Sequence, residues 1–408
     1  MQGKIQKIFG REIIEQAAID QLQNCLIDDS IGVLTADAHK GYSCPIGGVL
    51  AYKDKISPSG VGYDIACGNM AVRTNVKYDE IQNDLARIMN ELVATIGFGL
   101  GNPKQARYDH EVFDKIAHAQ FEPQRKLLNL AKEQLGTVGG GNHYVDLFVE
   151  KRTNDVWIGV HFGSRGFGHK TASGFLAMNQ GLKFEEHAKE GSMDSKPVLF
   201  DDDSYIGQAY WEAMLLAGAY AYAGRETVIQ NVLNILSAKQ TYSVHNHHNF
   251  AWREAHHGEW YNVIRKGATP AFPGQEGFIG ANMRDTSIIV EGVDTPEAAE
   301  GLFSTVHGAG RILSRTQAAG KKKWIRGEDG KKRPVRVAKG LIDFDVVKNE
   351  MKNLNIELRG AAADEAPDCY KKLGEVLLYH GDTIKIKHFL TPIGVAMAGE
   401  NDADPYKD

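Results

Sequence analysis

Gly141-Asn142-His143-Tyr144-Val145-Asp146-Leu147-Phe148-Val149 and, after a polar turn, Val156-Trp157-Ile158-Gly159-Val160-His161-Phe162-Gly163-Ser164-Arg165-Gly166 decide how this chain is read. Each half carries an apolar run of strand length, Tyr144 to Val149 and Val156 to Val160, and the polar turn predicts that the two pair. A histidine beside glycine stands at each outer end. His143 follows Gly139-Gly140-Gly141, a run that packing alone does not call for. His161 opens a Gly-Ser-Arg-Gly loop with backbone N–H groups, a hydroxyl and a guanidinium, donors suited to phosphate.

Three further segments share this make-up: Gly62-Tyr63-Asp64-Ile65-Ala66-Cys67-Gly68, His245-Asn246-His247-His248-Asn249 and His307-Gly308-Ala309-Gly310-Arg311. Imidazole and thiolate supply electron pairs to a metal, and glycine lets backbone N–H groups approach an anion. Asp64 and Cys67 stand at i and i+3, where a tight turn can aim both at one cation. Alone, Cys67 reads as a small hydrophobe and Asp64 as a turn former. Their ligand reading comes from the other segments. On a strand His247 and His248 point to opposite faces, so one of them faces the site. His256 and His257 sit in a polar turn and read as surface. His307, at the start of a helix expected from Gly308 to Ala319, is a ligand or a nucleophile toward phosphorus, with Arg311 neutralising phosphate charge. The donor mixture suits Zn²⁺ or Mn²⁺, and a cysteine bridging two ions would account for more ligands than one tetrahedral site needs. Neither a Walker loop nor a dinucleotide fingerprint is present.

The 408 residues can bury a large core, with 42% apolar and 24% charged residues, as in ordinary globular chains. A net charge of −5 gives no general attraction to polyanions. Apolar stretches fall short of a membrane span, and no signal-peptide pattern opens the chain. Cys25, Cys44, Cys67 and Cys369 are widely spaced, which argues against a disulfide framework and for the cytoplasm. His110, His118, His169, His187, His380 and His388 read as surface or internally satisfied.

Further strands are expected at Ile31–Thr35, Gly47–Tyr52, Ala71–Val76, Thr241–His245, Trp260–Ile264, Ser287–Val290 and Asp382–Phe389. Helices are expected at Asp79–Ile96, Gln124–Leu135, Asp343–Leu354 and Asp368–His380. The longest, Ser204–Ala238, is expected to break near Gly224, with Tyr210, Tyr220 and Tyr222 in the core. Eight basic residues between Lys321 and Arg336 read as a solvated loop by default, or as a phosphate-backbone contact. The polar tail 400–408 reads as mobile. Strands and helices interleave along the whole length. The expectation is therefore an α+β fold in a single domain, 1–408.

Taken together, these segments resemble the RtcB family of 3′-phosphate RNA ligases, or tRNA-splicing ligases, from about Ala36 to Val395. Asp37-Ala38-His39-Lys40-Gly41-Tyr42 with Pro45-Ile46-Gly47-Gly48 is similar to the family's first characteristic loop. The Asp64/Cys67 segment is similar to its metal loop, and His307-Gly308-Ala309-Gly310-Arg311 to its guanylylated-histidine motif. Arg265-Lys266-Gly267-Ala268 and Glu365-Ala366-Pro367 with Tyr370-Lys371 also match.

The resemblance implies mixed sheets around a central metal site, with helical insertions. It implies two Mn²⁺ ions on Asp64, Cys67, His143, His161 and His248, with Cys67 bridging. It implies a GTP site formed by Asn142, His143, Tyr144, Asp146, His248, Asn249, Gly280, Ala281, Asn282, Met283, Ser287, His307, Gly308, Ala309 and Gly310. Arg165 and Arg311 would contact RNA or nucleotide phosphates. His307 would take guanylate from GTP and pass it to an RNA 3′-phosphate, which a 5′-hydroxyl then attacks, releasing GMP. A 2′,3′-cyclic phosphate would first be opened by water. The expected partner is RNA with those ends. The protein is expected to be a monomer away from membranes, with an accessory protein able to assist.

Three departures fall on base recognition, and none on a ligand or His307. Arg284 follows Gly280-Ala281-Asn282-Met283 where the family has glycine, Asp146 replaces a glutamate, and Met397 stands near the place of a terminal lysine. The alternatives are a metal-dependent phosphoesterase with altered nucleotide selectivity and a non-catalytic RNA-end binder.

Overall fold

Side chains on both faces of the opening hairpin are buried. Val145, Leu147, Val149, Ile158 and Val160 face one way, and Phe148 and Trp157 the other. A strand covered on both sides needs a near-continuous apolar run, which these segments have. The computed structural model describes residues 3–99, 108–189, 192–326, 332–400 and 402.

Tyr144–Glu150 and Asp155–His161 lie in the middle of a larger sheet. Its order is Gln240–His247, Gly68–Lys77, Asp155–His161, Tyr144–Glu150, Ile384–Met397, Ser287–Gly292 and Glu276–Ile279, with all neighbours antiparallel. Glu357–Arg359 joins Ile384–Met397 in parallel. The sheet curls until its two ends meet through side-chain amides. Phe278 N–H donates to Asn246 Oδ1 at 3.0 Å, and Asn69 Nδ2 donates to Phe278 O at 2.8 Å.

A second sheet runs Lys4–Ile8, Ile31–His39, Ile46–Tyr52, Glu259–Lys266, Asn249–His256, with its first pair parallel and the rest antiparallel. The architecture is thus α+β with mixed sheets. The 31-residue helix Tyr205–Ile235 links the two. Tyr210, Met214 and Tyr220 pack with Phe167 and Phe175 of the helix Arg165–Asn179 and with Leu50, Phe250 and Ile264 of the second sheet. Val228, Ile229, Val232 and Leu233 cover the larger sheet beside the helix Leu85–Thr95. Each such side chain contributes about 1.5–3 kcal/mol by burial. That outweighs the roughly 1 kcal/mol cost of a helical glycine, so the expected break near Gly224 does not occur.

Other expected helices are shorter. Asp79–Ile96 becomes Tyr78–Ile81 and Leu85–Thr95, and Gln124–Leu135 becomes Glu122–Arg125 and Leu128–Gln134. Within Asp368–His380 only Leu373–Leu377 is α-helical. The segment after His307 is a loop, and helix covers only Arg315–Ala319. Gly310 has φ +77°, and a β-carbon there would lie 2.1 Å from Asp37 O, so the chain cannot continue as helix past it. Ser314 and Gln317 form the capping box that starts the later helix.

The basic segment folds as a hairpin, Lys322–Arg326 against Lys332–Arg336. Its residues 327–331, and 401 and 403–408 of the tail expected to be mobile, lie outside the described residues. All four cysteines are buried, and none forms a disulfide. Among the described residues no helix is long and apolar enough to cross a membrane.

Candidate metal and nucleotide site

Strand register explains why distant ligand candidates meet. Gly68 lies opposite His247, and His161 lies opposite both Asn69 and Tyr144. Cys67, His143, His161 and His248 therefore cluster at one end of four adjacent strands. Cys67 Sγ is 3.7 Å from His143 Nε2 and 3.5 Å from His161 Nε2. His143 Nε2 is 3.0 Å from Asp64 Oδ2. The His248 ring stacks on His161 at 5.0 Å and lies 4.9 Å from His307. All six line one cavity of about 1050 Å³. Strand alternation turns His247 the other way, against Tyr222 and Arg225.

This donor set fits a divalent metal. Cys67, His143 and His161 present ligand atoms within reach of one ion. Nδ1 of His143 and of His248 is buried without a hydrogen-bond partner. Burial holds the His161 and His248 imidazoles well below their usual range, so both are neutral electron-pair donors. Burial opposes the charge on Asp64, but its contacts with His143 and Cys67 outweigh this and keep it ionised.

Asn69 and Arg225, which sequence reading passed over, hold the cluster from behind. Asn69 gives its amide N–H to Phe278 O, so its Oδ1 must face His161 Nδ1, 2.5 Å away. That contact puts the His161 proton on Nδ1 and leaves the Nε2 lone pair toward Cys67. Arg225 is fully buried. Its Nη1 donates to Ala66 O at 3.0 Å and Phe162 O at 2.6 Å, tying the residue before Cys67 to the one after His161. Nε and Nη2 reach His245 and His247.

Asp37 is the third residue missed. It is fully buried and lies beside His307, with Oδ2 2.7 Å from His307 Nδ1. Beyond this close approach His307 Nδ1 has no hydrogen-bond partner. The backbone N–H groups of His307 and Gly308 donate to the same oxygen at 3.1 and 3.3 Å, and Thr35 Oγ1 donates to Oδ1 at 2.6 Å. Burial works against ionisation of Asp37, but these His307 and Thr35 contacts hold its carboxyl below the usual range. A carboxylate beside Nδ1 leaves Nε2 of His307 available for bond formation.

The end of the cavity beyond His307 is lined by Asn142, Tyr144, Asp146, Asn249, the backbone of Gly280 to Met283, and Gly308 to Gly310. Tyr144 stacks on His161 at 5.4 Å. Its hydroxyl and Asp146 Oδ1 are buried and unpartnered. Burial pushes the Asp146 carboxyl well above its usual range, favouring the protonated form, which is a donor as well as an acceptor. Such a pair of orphaned polar atoms fits the edge of a planar base. Asn249 accepts from Gly267 N–H and braces the loops. Asn282 closes a turn on Arg284 and Asp285 within its own segment.

Several sequence expectations are corrected. Ser287 does not line the cavity; its hydroxyl accepts from Ala281 N–H. Arg165 is buried, donating to Gly99 O and Thr137 Oγ1. A β-carbon on Gly139 would collide with its guanidinium, so packing requires glycine there. The Gly-Ser-Arg-Gly segment is no phosphate cradle: Ser164 binds Ile65 O, and Gly166 N–H binds Gln134. Arg311 lines the cavity, but Leu313 O, Glu365, Tyr370 and Asp364 O take four of its five N–H groups. Glu365 also pairs with Arg315. His256 is buried against Glu254, not surface. Lys266 reaches the cavity, with Nζ on Tyr42 O at 2.6 Å.

Comparison with known proteins agrees with this geometry. The family described as tRNA-splicing ligase RtcB matches residues 28–124 and 115–398. The chain is 28% identical to the tRNA-splicing ligase RtcB of Thermococcus kodakarensis, over 96% of this chain and 92% of that protein. It is 28% identical to the RNA-splicing ligase RtcB of Escherichia coli K12, over 88% and 87%. To RNA-splicing ligase RtcB homolog 1 of Entamoeba dispar it is 30% identical, over 84% and 74%. With the family match running over most of its length, the chain belongs to the RtcB family.

Proposed function

We propose that the chain is an RNA ligase that joins an RNA 3′-phosphate or 2′,3′-cyclic phosphate end to a 5′-hydroxyl end, using GTP and Mn²⁺. One observation carries this reading. His307 is set against the Asp37 carboxylate, beside the donor cluster, at the mouth of a space with orphaned polar atoms. A hydrolase needs no such nucleophile.

His307 Nε2 attacks the α-phosphorus of GTP and pyrophosphate leaves, while Asp37 offsets the positive charge developing on the ring. Asp64, Cys67, His143, His161 and His248 would hold two Mn²⁺ ions, which would stabilise charge building on phosphoryl oxygens. Tyr144 and Asp146 face the base. The guanylate passes to the RNA 3′-phosphate, and the 5′-hydroxyl then displaces GMP. Four buried cysteines with no disulfide among them suit a reducing, cytoplasmic setting.

The test is intact mass after incubation with Mn²⁺ and each nucleoside triphosphate in turn. An acid-labile GMP adduct is expected, absent in His307→Ala. No adduct with any nucleotide rejects the reading. An AMP adduct rejects its guanine selectivity alone.

A further inference from the structure

Two steps of the proposed reaction consume an O–H nucleophile: water opening a cyclic phosphate, and the RNA 5′-hydroxyl attacking the activated 3′-end. Each needs a group that accepts a proton. The donor cluster is committed to metal, and His307 Nε2 carries the guanylate until it passes to the RNA 3′-end. Burial favours the protonated form of Asp146, and Glu365 is taken by Arg311, Arg315 and Tyr370. Lys266 and Lys371 are engaged through Nζ with backbone carbonyls, of Tyr42 and of Ala36 and Ala38.

His39 remains. It lines the same cavity two residues from Asp37, on the strand that orients His307. Its Nδ1 lies 3.1 Å from Asp37 O, which fixes the proton on Nδ1. Among the described residues nothing bonds Nε2. The strand itself is anchored: Lys371 Nζ donates to Ala36 O at 3.1 Å and Ala38 O at 3.5 Å, and Lys40 N–H donates to Glu15 Oε1 at 2.7 Å.

Resting on the ligase reading, we propose that His39 is the general base that activates the RNA 5′-hydroxyl, and the water that opens a cyclic phosphate. The hydroxyl proton moves to Nε2 as the 5′-oxygen bonds to the 3′-phosphorus. The bond from that phosphorus to GMP breaks, and its electron pair leaves on GMP. The imidazolium then returns its proton to solvent. Burial pushes His39 down to about 4, with the Asp37 carbonyl opposing and nearby His307 and Lys371 reinforcing the shift, so the ring is neutral and accepting near pH 7.

The test uses RNA already carrying a 3′-terminal guanylate, so that sealing is measured without His307 chemistry, alongside GMP-adduct formation on the protein. His39→Asn keeps a donor for Asp37 O but lacks the base. It should form the adduct at the wild-type rate and seal about 10²-fold more slowly, or worse, a loss typical of general bases. Exogenous imidazole should restore sealing in His39→Ala, which a purely structural role does not allow. Sealing by His39→Asn at the wild-type rate, or no imidazole rescue, overturns the role of His39. Failure of the wild-type protein to seal these ends overturns the ligase reading itself.

Discussion

Asp37→Asn separates orientation from charge at His307. The substitution is sterically mild. With its amide oxygen turned toward His307, asparagine still accepts the N–H groups of His307 and Gly308, at 3.1 and 3.3 Å in the native protein. Its NH₂ then meets Thr35 Oγ1, which has Gly47 O at 3.1 Å as an alternative acceptor for its own hydroxyl. The fold should therefore survive. What is lost is the negative charge 2.7 Å from His307 Nδ1. As Nε2 bonds to phosphorus, positive charge spreads over the ring, centred roughly 4 Å from the carboxylate. At an effective dielectric of about 20 the lost attraction is about 4 kcal/mol. At 1.36 kcal/mol per decade this slows attack by about 10³-fold. The assay is quenched-flow formation of the GMP adduct, with thermal unfolding as a control. An adduct formed at the wild-type rate by a folded Asp37→Asn would refute the role given to Asp37.

Asn69→Ala removes the acceptor that orients His161 and should weaken Mn²⁺ binding about 10–100-fold by calorimetry; unchanged affinity would exclude that role. Arg225→Met leaves the Ala66 and Phe162 carbonyls and two histidines without their donor, which should cost about 1–3 kcal/mol or more in urea unfolding. An unaltered midpoint would mean that Arg225 is dispensable. His39 and His380 are both held down to about 4 in the folded state, each mainly by burial. The unfolded chain binds their protons below about pH 6.5, so metal-free stability should be level above that pH and fall steadily from there toward pH 4. Equal urea midpoints at pH 7.5 and 5 would contradict this.

Every metal-donor candidate could be picked out from the sequence, because His, Cys and Asp recur in separate short polar segments, most of them flanked by glycine. The residues that position them could not. Asp37 meets His307 only through tertiary contact across the chain, Asn69 is an ordinary amide inside a strand, and Arg225 sits in a helix that reads as an apolar stripe. Arg165 and Arg311 carry the right donors for phosphate, but their partners Thr137 and Glu365 lie far off in sequence. The helix expected from Gly308 fails at Gly310, whose positive φ is set by the close passage of Asp37. Strand positions were legible from their apolar runs. The register that aligns four strand ends, and so builds the site, was not.

The central claim is ligation rather than hydrolysis, and the fate of one phosphorus decides it. An RNA labelled in its 3′-terminal phosphate is incubated with a 5′-hydroxyl RNA, GTP and Mn²⁺, and the label is followed. The account predicts label in a phosphatase-resistant internal linkage, dependent on GTP and absent with His307→Ala. Label released as inorganic phosphate, or left at an opened but unjoined end, would contradict it and leave a phosphoesterase in its place.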